Sequence, residues 1–198
     1  MNLILATRNQ DKVAEIADIL GLSRQQVITM DDAGYLGDID ENGTTFEENA
    51  LIKARAVHQH TGGMVIADDS GLCIDALDGA PGIYSARFAG VQADYPEKFR
   101  LIYEMLAPFP QEKWTCHFIC AIALIRPDGS ETTVRGEVSG CISPVSLGDN
   151  GFGYDPIFFL PKRGLSMAQL DPVEKNRISH RGQALCLLKT LLQTEEQS

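Results

Sequence analysis

Apolar residues recur along the first part of the chain in segments that alternate between strand and helix patterns. Residues 2–6 and 64–68 are predominantly apolar and predict two buried strands. Over residues 10–20, apolar positions recur at intervals of three or four, which predicts an amphipathic helix. A second helix is predicted from Thr45 to about His60, because that segment begins with a capping-box sequence. This βαβ-like alternation favours a sheet with helices packed against it.

The second half of the chain has one long β-type segment at its centre. Residues 114–126 are apolar on both alternating faces, which predicts a central strand, and residues 131–138 return as its antiparallel partner. These patterns predict an α/β fold, a mixed sheet with long central antiparallel strands and flanking helices. The other predicted elements are strands at Gln26–Met30, Leu72–Asp75 and Ile157–Leu160, helices at Tyr95–Leu106, from Asp171-Pro172 and at about 180–193, and loops at 31–43 and 78–90.

Length and charge narrow the class of protein. The 198 residues fit a single domain over 1–198, which can be built from two closely packed lobes. A net charge of -10 argues against non-specific binding to nucleic acid, which needs a basic face. No apolar segment is long enough to span a membrane, and the N-terminus lacks the basic lead of a secretory signal. The five scattered cysteines form no CxxC pair and fit buried, reduced thiols in a cytoplasmic protein.

Two adjacent carboxylates, Asp68 and Asp69, follow an apolar segment and are themselves followed by Ser70 and Gly71. Acidic side chains at the end of a buried strand are unfavourable unless a cation or a hydrogen-bond donor meets them. Because ligands bind at the carboxyl ends of strands in open α/β sheets, this segment predicts one side of a divalent-metal site for a phosphorylated ligand. The alternative is a strand end closed by an Asp-Asp-Ser-Gly turn.

Residues 6–12 lie between the first predicted strand and the first predicted helix. Such a turn exposes backbone N–H groups and the positive end of the helix dipole, both of which attract phosphate. Thr7, Asn9 and Lys12 add side-chain donors, although the GxxxxGK[ST] pattern of a P-loop is absent. The alternative is a helix capped by Asn9, with Lys12 in solvent.

The acidic loop at 38–43 carries Glu41 just ahead of the second predicted helix. Its alternating oxygen side chains are similar to the start of an EF-hand loop, but the twelfth position is Asn49 where a bidentate Glu is required. The EF-hand is therefore excluded. Glu41 stays a candidate to reach a metal held by Asp68 or Asp69, and the alternative is a solvated acidic loop.

Two later segments carry side chains suited to a nucleoside. Residues 148–156 combine glycines with two aromatic residues, which predicts a loop where a ring can stack on a base. The alternative is that both rings pack into the core. Residues 174–182 are locally basic, and Ser179 is the predicted N-cap of a helix that begins with His180 and Arg181. Charge and helix dipole there favour an anion or an electron-rich carbonyl.

In this order, the segments closely resemble one family, the non-canonical purine nucleoside triphosphate pyrophosphatases, also called the inosine triphosphate pyrophosphatase or Ham1-like family. The resemblance covers nearly the whole chain, and the order and spacing of the strings make a chance match improbable. The matching strings are Ala6-Thr7-Arg8-Asn9 with Lys12, Thr45-Phe46 with Glu48-Asn49-Ala50, Ala67-Asp68-Asp69-Ser70-Gly71-Leu72, Gly79–Arg87, Gly151–Phe158 and Ser179-His180-Arg181-Gly182.

The resemblance implies an elongated fold with two lobes around a nucleotide-binding cleft, and a homodimer. It implies Mg²⁺-dependent hydrolysis of ITP, dITP and XTP to the monophosphate and pyrophosphate, which cleanses the nucleotide pool and prevents misincorporation into DNA and RNA. By matching positions, Asp69 is implied as the general base, Glu41 and Asp69 as metal ligands, and Asp68 as a further metal candidate. The substrate-binding residues implied are Thr7, Arg8, Asn9, Gln10, Asp11, Lys12, Ser70, Phe152, Gly153, Tyr154, Asp155, Lys175, His180 and Arg181.

The chain departs from the family pattern at a few positions. Lys98 stands where Asn is common, Trp114 where relatives often have a basic residue, and Arg8 where Gly or Ser also occurs. Two other classes stay open, a Maf-like nucleotide pyrophosphatase that acts on modified pyrimidines and a nucleotide sensor without turnover. The Ser-His-Arg-Gly and Phe-Gly-Tyr-Asp strings favour the purine family, and the three acidic metal candidates favour an enzyme over a sensor.

Overall fold

The computed structural model describes residues 3–23 and 25–195, and Asn2 of the first predicted strand lies outside these residues. The chain divides into two compact units. Unit 1 contains the described residues up to Asp69, residues 120–136 and those from His180 onward. Unit 2 contains residues 70–119 and 137–179.

The strands of the described residues form one mixed sheet, as the sequence predicts. They are β1 (Leu3–Leu5), β2 (Val27–Thr29), β3 (Met64–Ile74), β4 (Thr115–Ile125), β5 (Glu131–Ile142), β6 (Phe158–Leu160) and β7 (Leu165–Ser166). The order across the sheet is β2-β1-β3-β4-β5-β6-β7. β1 pairs in parallel with β2 and β3, whereas β6 pairs antiparallel with β5 and β7.

The α-helices begin where side chains cap them. They are α1 (Gln10–Leu20), α2 (Phe46–Thr61), α3 (Tyr95–Leu106), α4 (Pro172–Ile178) and α5 (His180–Glu195). Asn9, Thr45, Asp94 and Asp171 each accept a hydrogen bond from the backbone N–H three residues later, which satisfies a donor that the first turn leaves open. The predicted helices over 10–20, 95–106 and from Asp171-Pro172 are therefore confirmed.

The largest difference from the prediction lies in β3. The sequence predicts a strand that ends at residue 68 and a second short strand at 72–75, whereas β3 runs unbroken from Met64 to Ile74. Both the predicted strand end and the alternative turn are wrong, because Asp68 and Asp69 lie inside the strand. Their charges are accommodated there because cations from distant segments meet them, which the local sequence does not reveal.

Smaller differences concern the ends and faces of elements. The return strand β5 is longer than predicted and reaches Ile142. In the predicted capping box, Glu48 accepts from the N–H of Thr44, at 2.6 Å, where the box expects Thr45. On the last helix, Leu188 is buried, whereas Leu191 is 43% exposed.

Each unit has its own apolar core. In unit 1, buried residues of β1, β3 and β4 pack against α1 and α5, with Leu5, Ile66, Ile16 and Leu185 among them. The helix α5 begins directly against β5, since a Cβ built on Gly136 would lie 2.1 Å from the carbonyl oxygen of His180. Only glycine allows this approach, so the start of α5 is fixed on the sheet.

In unit 2, the core lies between α3 and the sheet. Ile102 and Leu106 of α3 are fully buried, and the rings of Phe118 and Phe158 stack with centroids 4.1 Å apart. Tyr154 belongs to the same core, so one of the two aromatic residues of the 148–156 loop packs inward.

The cysteines are more varied than the prediction of buried thiols. All five are free; Cys116 and Cys120 are buried, Cys73 and Cys141 are half-buried, and Cys186 is exposed. Across residues 3–23 and 25–195, no helix has the length and apolar character needed to cross a membrane.

Candidate active site

Asp68 and Asp69 lie next to each other in β3, so their side chains point to opposite faces of the sheet. Their exposed fractions are only 2% and 7%. Buried carboxylates require cationic or hydrogen-bonding partners, and unit 1 supplies a different set to each. The two carboxylates are therefore paired with different cations.

Asp69 shares a buried lysine with Glu41. The Nζ atom of Lys53 lies 2.7 Å from Asp69 Oδ1 and 2.7 Å from Glu41 Oε2. The second oxygen of Asp69, Oδ2, is buried and has no hydrogen-bond partner among the residues that the structure describes. Burial raises the pKa of Asp69 to about 6, against the opposing charge of Lys53. Such a carboxylate is suited to accept a proton or a ligand near neutral pH.

Local packing brings Lys53 and Glu41 together. The buried face of α2 runs from Phe46 through Asn49 to Lys53, so the lysine stem lies inside unit 1. Asn49 Oδ1 accepts the backbone N–H of Gly43 at 2.9 Å, which attaches the loop carrying Glu41 to α2. Although burial acts to raise it, the charge of Lys53 holds the pKa of Glu41 below its ordinary value. Glu41 is therefore ionised at neutral pH.

Asp68 lies among cations on the opposite face. Lys12 forms an ion pair with Oδ1, Arg181 Nε donates to Oδ2 at 3.1 Å, and Cys120 Sγ donates to Oδ2 at 2.9 Å. Arg181 also donates through Nη1 to Glu15 Oε2 at 2.5 Å. Although burial acts to raise it, Arg181 and Lys12 hold the pKa of Asp68 well below its usual range. Asp68 is thus ionised, and both of its oxygens are engaged.

The turn before α1 has the geometry of a capped helix start. Asn9 Oδ1 accepts the N–H of Lys12 at 3.1 Å, and Thr7 Oγ1 accepts the N–H of Asn9 at 3.2 Å. Arg8 Nε donates to Asp31 Oδ1 at 2.8 Å. The capping by Asn9 is therefore confirmed, but Lys12 pairs with Asp68 and does not lie in solvent as that alternative predicts. The positive end of α1 is at the same turn.

Unit 2 holds the second group of predicted residues. Asp155 Oδ2 accepts from Lys175 Nζ at 2.6 Å and from the N–H of Phe152 at 2.9 Å. The ammonium group of Lys175 lies 4.7 Å from the centre of the Phe152 ring, in a cation–π contact. Gly151 has φ +72°, and a Cβ there would lie 2.2 Å from Asp155 Oδ2. Glycine therefore allows the loop to close around the ion pair.

Tyr154 anchors this loop in the core of unit 2. Its hydroxyl donates to the carbonyl oxygen of Ser85 at 2.8 Å, and its ring meets Tyr95 edge-on with centroids 5.3 Å apart. Burial raises the pKa of Tyr154, so the phenol keeps its proton. Phe152, in contrast, is only half-buried, which leaves it as the aromatic side chain of the loop best placed to meet a planar ligand.

The structure brings the predicted residues together in two groups. Unit 1 combines Lys12 with Asp68 and Arg181, and Glu41 with Asp69; unit 2 combines the 152–155 loop with Lys175. The guanidinium of Arg181 is directed at two carboxylates of unit 1. The remaining predicted residues are Gln10 and Asp11 in the exposed first turn of α1, Ser70 half-buried in β3, Gly153 at φ +69°, and His180 at the buried start of α5.

Two residues of these groups were missed by the sequence reasoning, Lys53 and Glu15. A signal for Lys53 exists, because it falls on the apolar stripe of α2 with Ala50, Ala54 and Val57, where a lysine is unusual. Glu15 lies three residues after Lys12 on α1, a spacing that puts both on one side of the helix, but nothing local indicates its arginine partner.

Within the described part of the chain, no group of three or more His, Cys, Asp or Glu side chains is arranged to hold a metal ion. The three predicted metal candidates do not converge, since Asp68 is bound by Lys12 and Arg181 while Glu41 and Asp69 share Lys53. Of the three predicted candidates, only Glu41 and Asp69 belong to the same group of side chains in this arrangement.

The whole chain is similar to known proteins of one family. A model of the Ham1 family matches residues 3–191. The dITP/XTP pyrophosphatase of Exiguobacterium sibiricum is 45% identical over 98% of this chain and 98% of its own, and that of Nitratidesulfovibrio vulgaris is 48% identical over 92% and 91%. The solved structure of a HAM1 protein from Coxiella burnetii is 41% identical, with a TM-score of 0.88 over 98% of this chain and 99% of that one.

Proposed function

Because the chain belongs to the Ham1 family, we propose that it hydrolyses non-canonical purine nucleoside triphosphates, namely dITP, ITP and XTP, to the monophosphate and pyrophosphate. The names of the two pyrophosphatases similar to it over nearly their whole length support this substrate class. The observation that carries the chemistry is the open oxygen of Asp69, buried beside Lys53 with a raised pKa. A general base for a water molecule needs these properties.

Mg²⁺ is the metal that fits the residues present. It binds through one or two carboxylates together with substrate phosphates and water, and it rarely has a complete cage of protein ligands. Glu41 and Asp69 would hold it, because both are carboxylates of one group that shares the buried Lys53. When bound, Mg²⁺ polarises phosphate oxygens and lowers the pKa of water.

The residues of unit 1 divide the reaction between them. Asp69 accepts the proton of a water molecule that attacks the α-phosphorus in line, so the P–O bond to pyrophosphate breaks as the new P–O bond forms. Lys12 and the N-terminus of α1 stabilise the negative charge that develops on the leaving pyrophosphate. In this proposal, the triphosphate end of the substrate is surrounded by Thr7, Arg8, Asn9, Gln10 and Asp11.

The residues of unit 2 hold the base in this proposal. Phe152 supplies a stacking face, and Lys175 supplies N–H donors to the 6-keto oxygen of hypoxanthine or xanthine. Adenine presents a 6-amino group at that position, which leaves the donor unpaired and costs about 1–3 kcal/mol. Gly153, Tyr154 and Asp155 shape the loop around these two side chains. Base contacts by Ser70, His180 and Arg181 stay predictions.

An assay with five nucleotides tests the proposal. ITP, dITP, XTP, ATP and GTP are offered with Mg²⁺, and pyrophosphate and orthophosphate are measured separately. We expect pyrophosphate from the first three and little product from ATP. Orthophosphate alone would indicate a phosphatase, and no product from any nucleotide would favour a nucleotide sensor without turnover.

A variant of the proposed base tests the role of Asp69. Asp69→Asn should lower kcat by about 10²–10⁴-fold, the range for a general base. The matched variant Asp18→Asn changes an exposed acid of α1 and should leave kcat unchanged.

Three wider expectations rest on the same resemblance and stay predictions. They are a homodimer, a cytoplasmic location, and a role in cleansing the nucleotide pool before misincorporation into DNA and RNA. Sedimentation velocity of the protein in solution tests the dimer. The cellular role is tested by the dITP content of cells that lack the protein, which should rise.

A further inference from the structure

Unit 2 contains a buried lysine, Lys98 of α3, whose charge is not balanced by a carboxylate of the described residues. The residue is only 4% exposed, and burial lowers the pKa of its ammonium group. Burying a charge without an opposite charge is unfavourable, and a methionine of similar length would fill the same space without that penalty. The lysine is therefore distinguished by the contacts of its ammonium group and not by its packing.

The ammonium group of Lys98 contacts two segments of unit 2. Its Nζ atom donates to the carbonyl oxygen of Ala86 at 2.7 Å and lies 4.8 Å from the centre of the Tyr95 ring, in a cation–π contact. Ala86 belongs to the 78–90 loop, and Tyr95 is the first residue of α3. Lys98 therefore connects this loop with the start of the helix.

The same two segments hold Tyr154 of the 152–155 loop. The hydroxyl of Tyr154 donates to the carbonyl oxygen of Ser85, the residue before Ala86, at 2.8 Å. Its ring meets that of Tyr95 edge-on, with centroids 5.3 Å apart. Ser85 is itself attached to β3, because its Oγ accepts a backbone N–H of that strand at 2.9 Å. Tyr154 is thus held at its hydroxyl and at its ring.

These contacts form a closed circuit. It runs from Lys98 to Ala86, along the chain to Ser85, on to Tyr154, and through Tyr95 back to Lys98. Both contacts that hold Tyr154 therefore lead back to one ammonium group. A side chain without a charge and a donor would break the circuit at two of its contacts.

We propose that Lys98 is a positioning residue that holds the 152–155 loop in the conformation that receives the purine base. The inference rests on the proposed function, in which Phe152 and Lys175 hold that base. Lys98 does not touch the substrate in this proposal. It acts through Tyr95 and the 78–90 loop on Tyr154, and so on the neighbours of Tyr154 that meet the base.

Steady-state kinetics separate an effect on binding from an effect on the chemical step. Lys98→Met removes the charge and the donor, and Lys113→Met, at an exposed lysine of unit 2, is the matched control. In Lys98→Met, KM for ITP should rise by about five- to tenfold while kcat stays within about twofold, and the control should match the wild type. An unchanged KM, or a loss confined to kcat, would overturn the inference.

Product inhibition identifies the end of the substrate that is affected. In Lys98→Met, inhibition by inosine monophosphate should weaken by about five- to tenfold, whereas inhibition by inorganic pyrophosphate should stay within about twofold. The difference is expected because the proposed phosphate contacts lie in unit 1. Equal weakening of both inhibitors would indicate general disorder and contradict a positioning role for Lys98.

Hydrogen exchange measures the loop without any substrate. The backbone N–H of Phe152 donates to Asp155, and its exchange rate, measured by NMR, should rise by about tenfold in Lys98→Met. The N–H of Lys12, which Asn9 caps in unit 1, should keep its rate. An unchanged rate at Phe152 would overturn the inference, and equal acceleration at Lys12 would indicate a loss of overall stability and contradict it as well.

A double-mutant cycle tests the route through Tyr95. Because both residues act on Tyr154 through one circuit, the rise in KM in Lys98→Met with Tyr95→Leu should be smaller than the product of the two single effects. A combined rise equal to that product would overturn the inference. Failure of the wild type to release pyrophosphate from any nucleotide would instead contradict the proposed function, and hydrogen exchange at Phe152 would then still test the link from Lys98 to the loop.

Discussion

Asp69 of unit 1 and Asp155 of unit 2 both accept from a buried lysine, but they use their oxygens differently. Asp155 Oδ2 receives both Lys175 and a backbone N–H of its own loop. Asp69 receives Lys53 on Oδ1 only, and Oδ2 has no partner within the described residues. Asp155 therefore holds a loop in place, whereas Asp69 retains an oxygen for a proton or a metal.

The two lysines differ in the same way. Lys53 connects two carboxylates of different segments, so its charge is fully used inside unit 1. Lys175 connects one carboxylate and one aromatic ring, so it is directed at the side chain that can stack on a base. A lysine–aspartate ion pair thus balances buried charge in unit 1, and in the proposed function its counterpart in unit 2 supports base recognition. Variants of each lysine test the two roles separately.

The largest expected effect comes from removing the shared lysine. Lys53→Met leaves Glu41 and Asp69 buried without their cation, which should lower the free energy of unfolding of the metal-free protein by about 3–5 kcal/mol. Urea denaturation in EDTA and in excess Mg²⁺ measures this. Mg²⁺ should restore part of the stability in Lys53→Met but not in the matched variant Lys175→Met. Equal restoration in both variants would contradict the distinction between the two units.

The raised pKa of Asp69 predicts a pH-dependent stability. The folded-state pKa of about 6 lies above the unfolded value, so the neutral carboxyl stabilises the fold below about pH 4, and this contribution is lost as the pH rises through 6. Asp69→Asn resembles the neutral form at every pH. In EDTA it should therefore be more stable than the wild type by about 2–3 kcal/mol at pH 7 and equal to it near pH 4. Asp155→Asn should show no such gain.

A glycine substitution tests the closure of the loop in unit 2. Gly151→Ala combines backbone strain at φ +72° with a clash against Asp155, and it should cost about 2 kcal/mol of stability and weaken the preference for ITP over ATP. Gly164→Ala is the matched control, since it has φ +70° and open space around its Cβ. If the two variants behave alike, backbone strain alone accounts for the loss and the contact with Asp155 contributes nothing.

The smallest expected effect concerns the ring of Phe152. Phe152→Leu removes the stacking face and the cation–π contact with Lys175, which should raise KM for ITP by a factor that corresponds to about 1 kcal/mol. The metal dependence assigned to unit 1 should not change. Phe159→Leu, a half-buried ring of β6, serves as the control. An altered Mg²⁺ requirement in Phe152→Leu would contradict the separate roles of the two units.

Elements with local signals were predictable from the sequence. Helix α1 and helix α3 begin at side-chain caps, Asn9 and Asp94, and their apolar spacing is regular, so their bounds follow from neighbouring residues. β3 could not be predicted in full, because Asp68 and Asp69 have low strand propensity and belong locally to a turn. Its continuation to Ile74 depends on cations that only the tertiary structure supplies.

The candidate site was predictable where a motif carries it and not where distant segments complete it. Asp69 and the 152–155 loop fall in strings of the resemblance, and Glu41 stands out by its place in an acidic loop just ahead of α2. Lys53 lies in a helix with several other charged residues, and only its place on the buried face distinguishes it. The contact of Arg181 with Glu15 joins residues 166 positions apart, a separation that no local pattern encodes.

The thiol of Cys120 is a donor to Asp68 at the centre of unit 1, and burial raises its pKa well above the ordinary value. A thiol that keeps its proton is a poor nucleophile, and a buried one is out of reach of reagents. Cys186, on the outer side of α5, is exposed. A maleimide dye should therefore attach to Cys186 faster than to the half-buried Cys73 and Cys141 and leave the thiol of Cys120 unmodified, which gives the unaltered sequence a position for a spectroscopic probe.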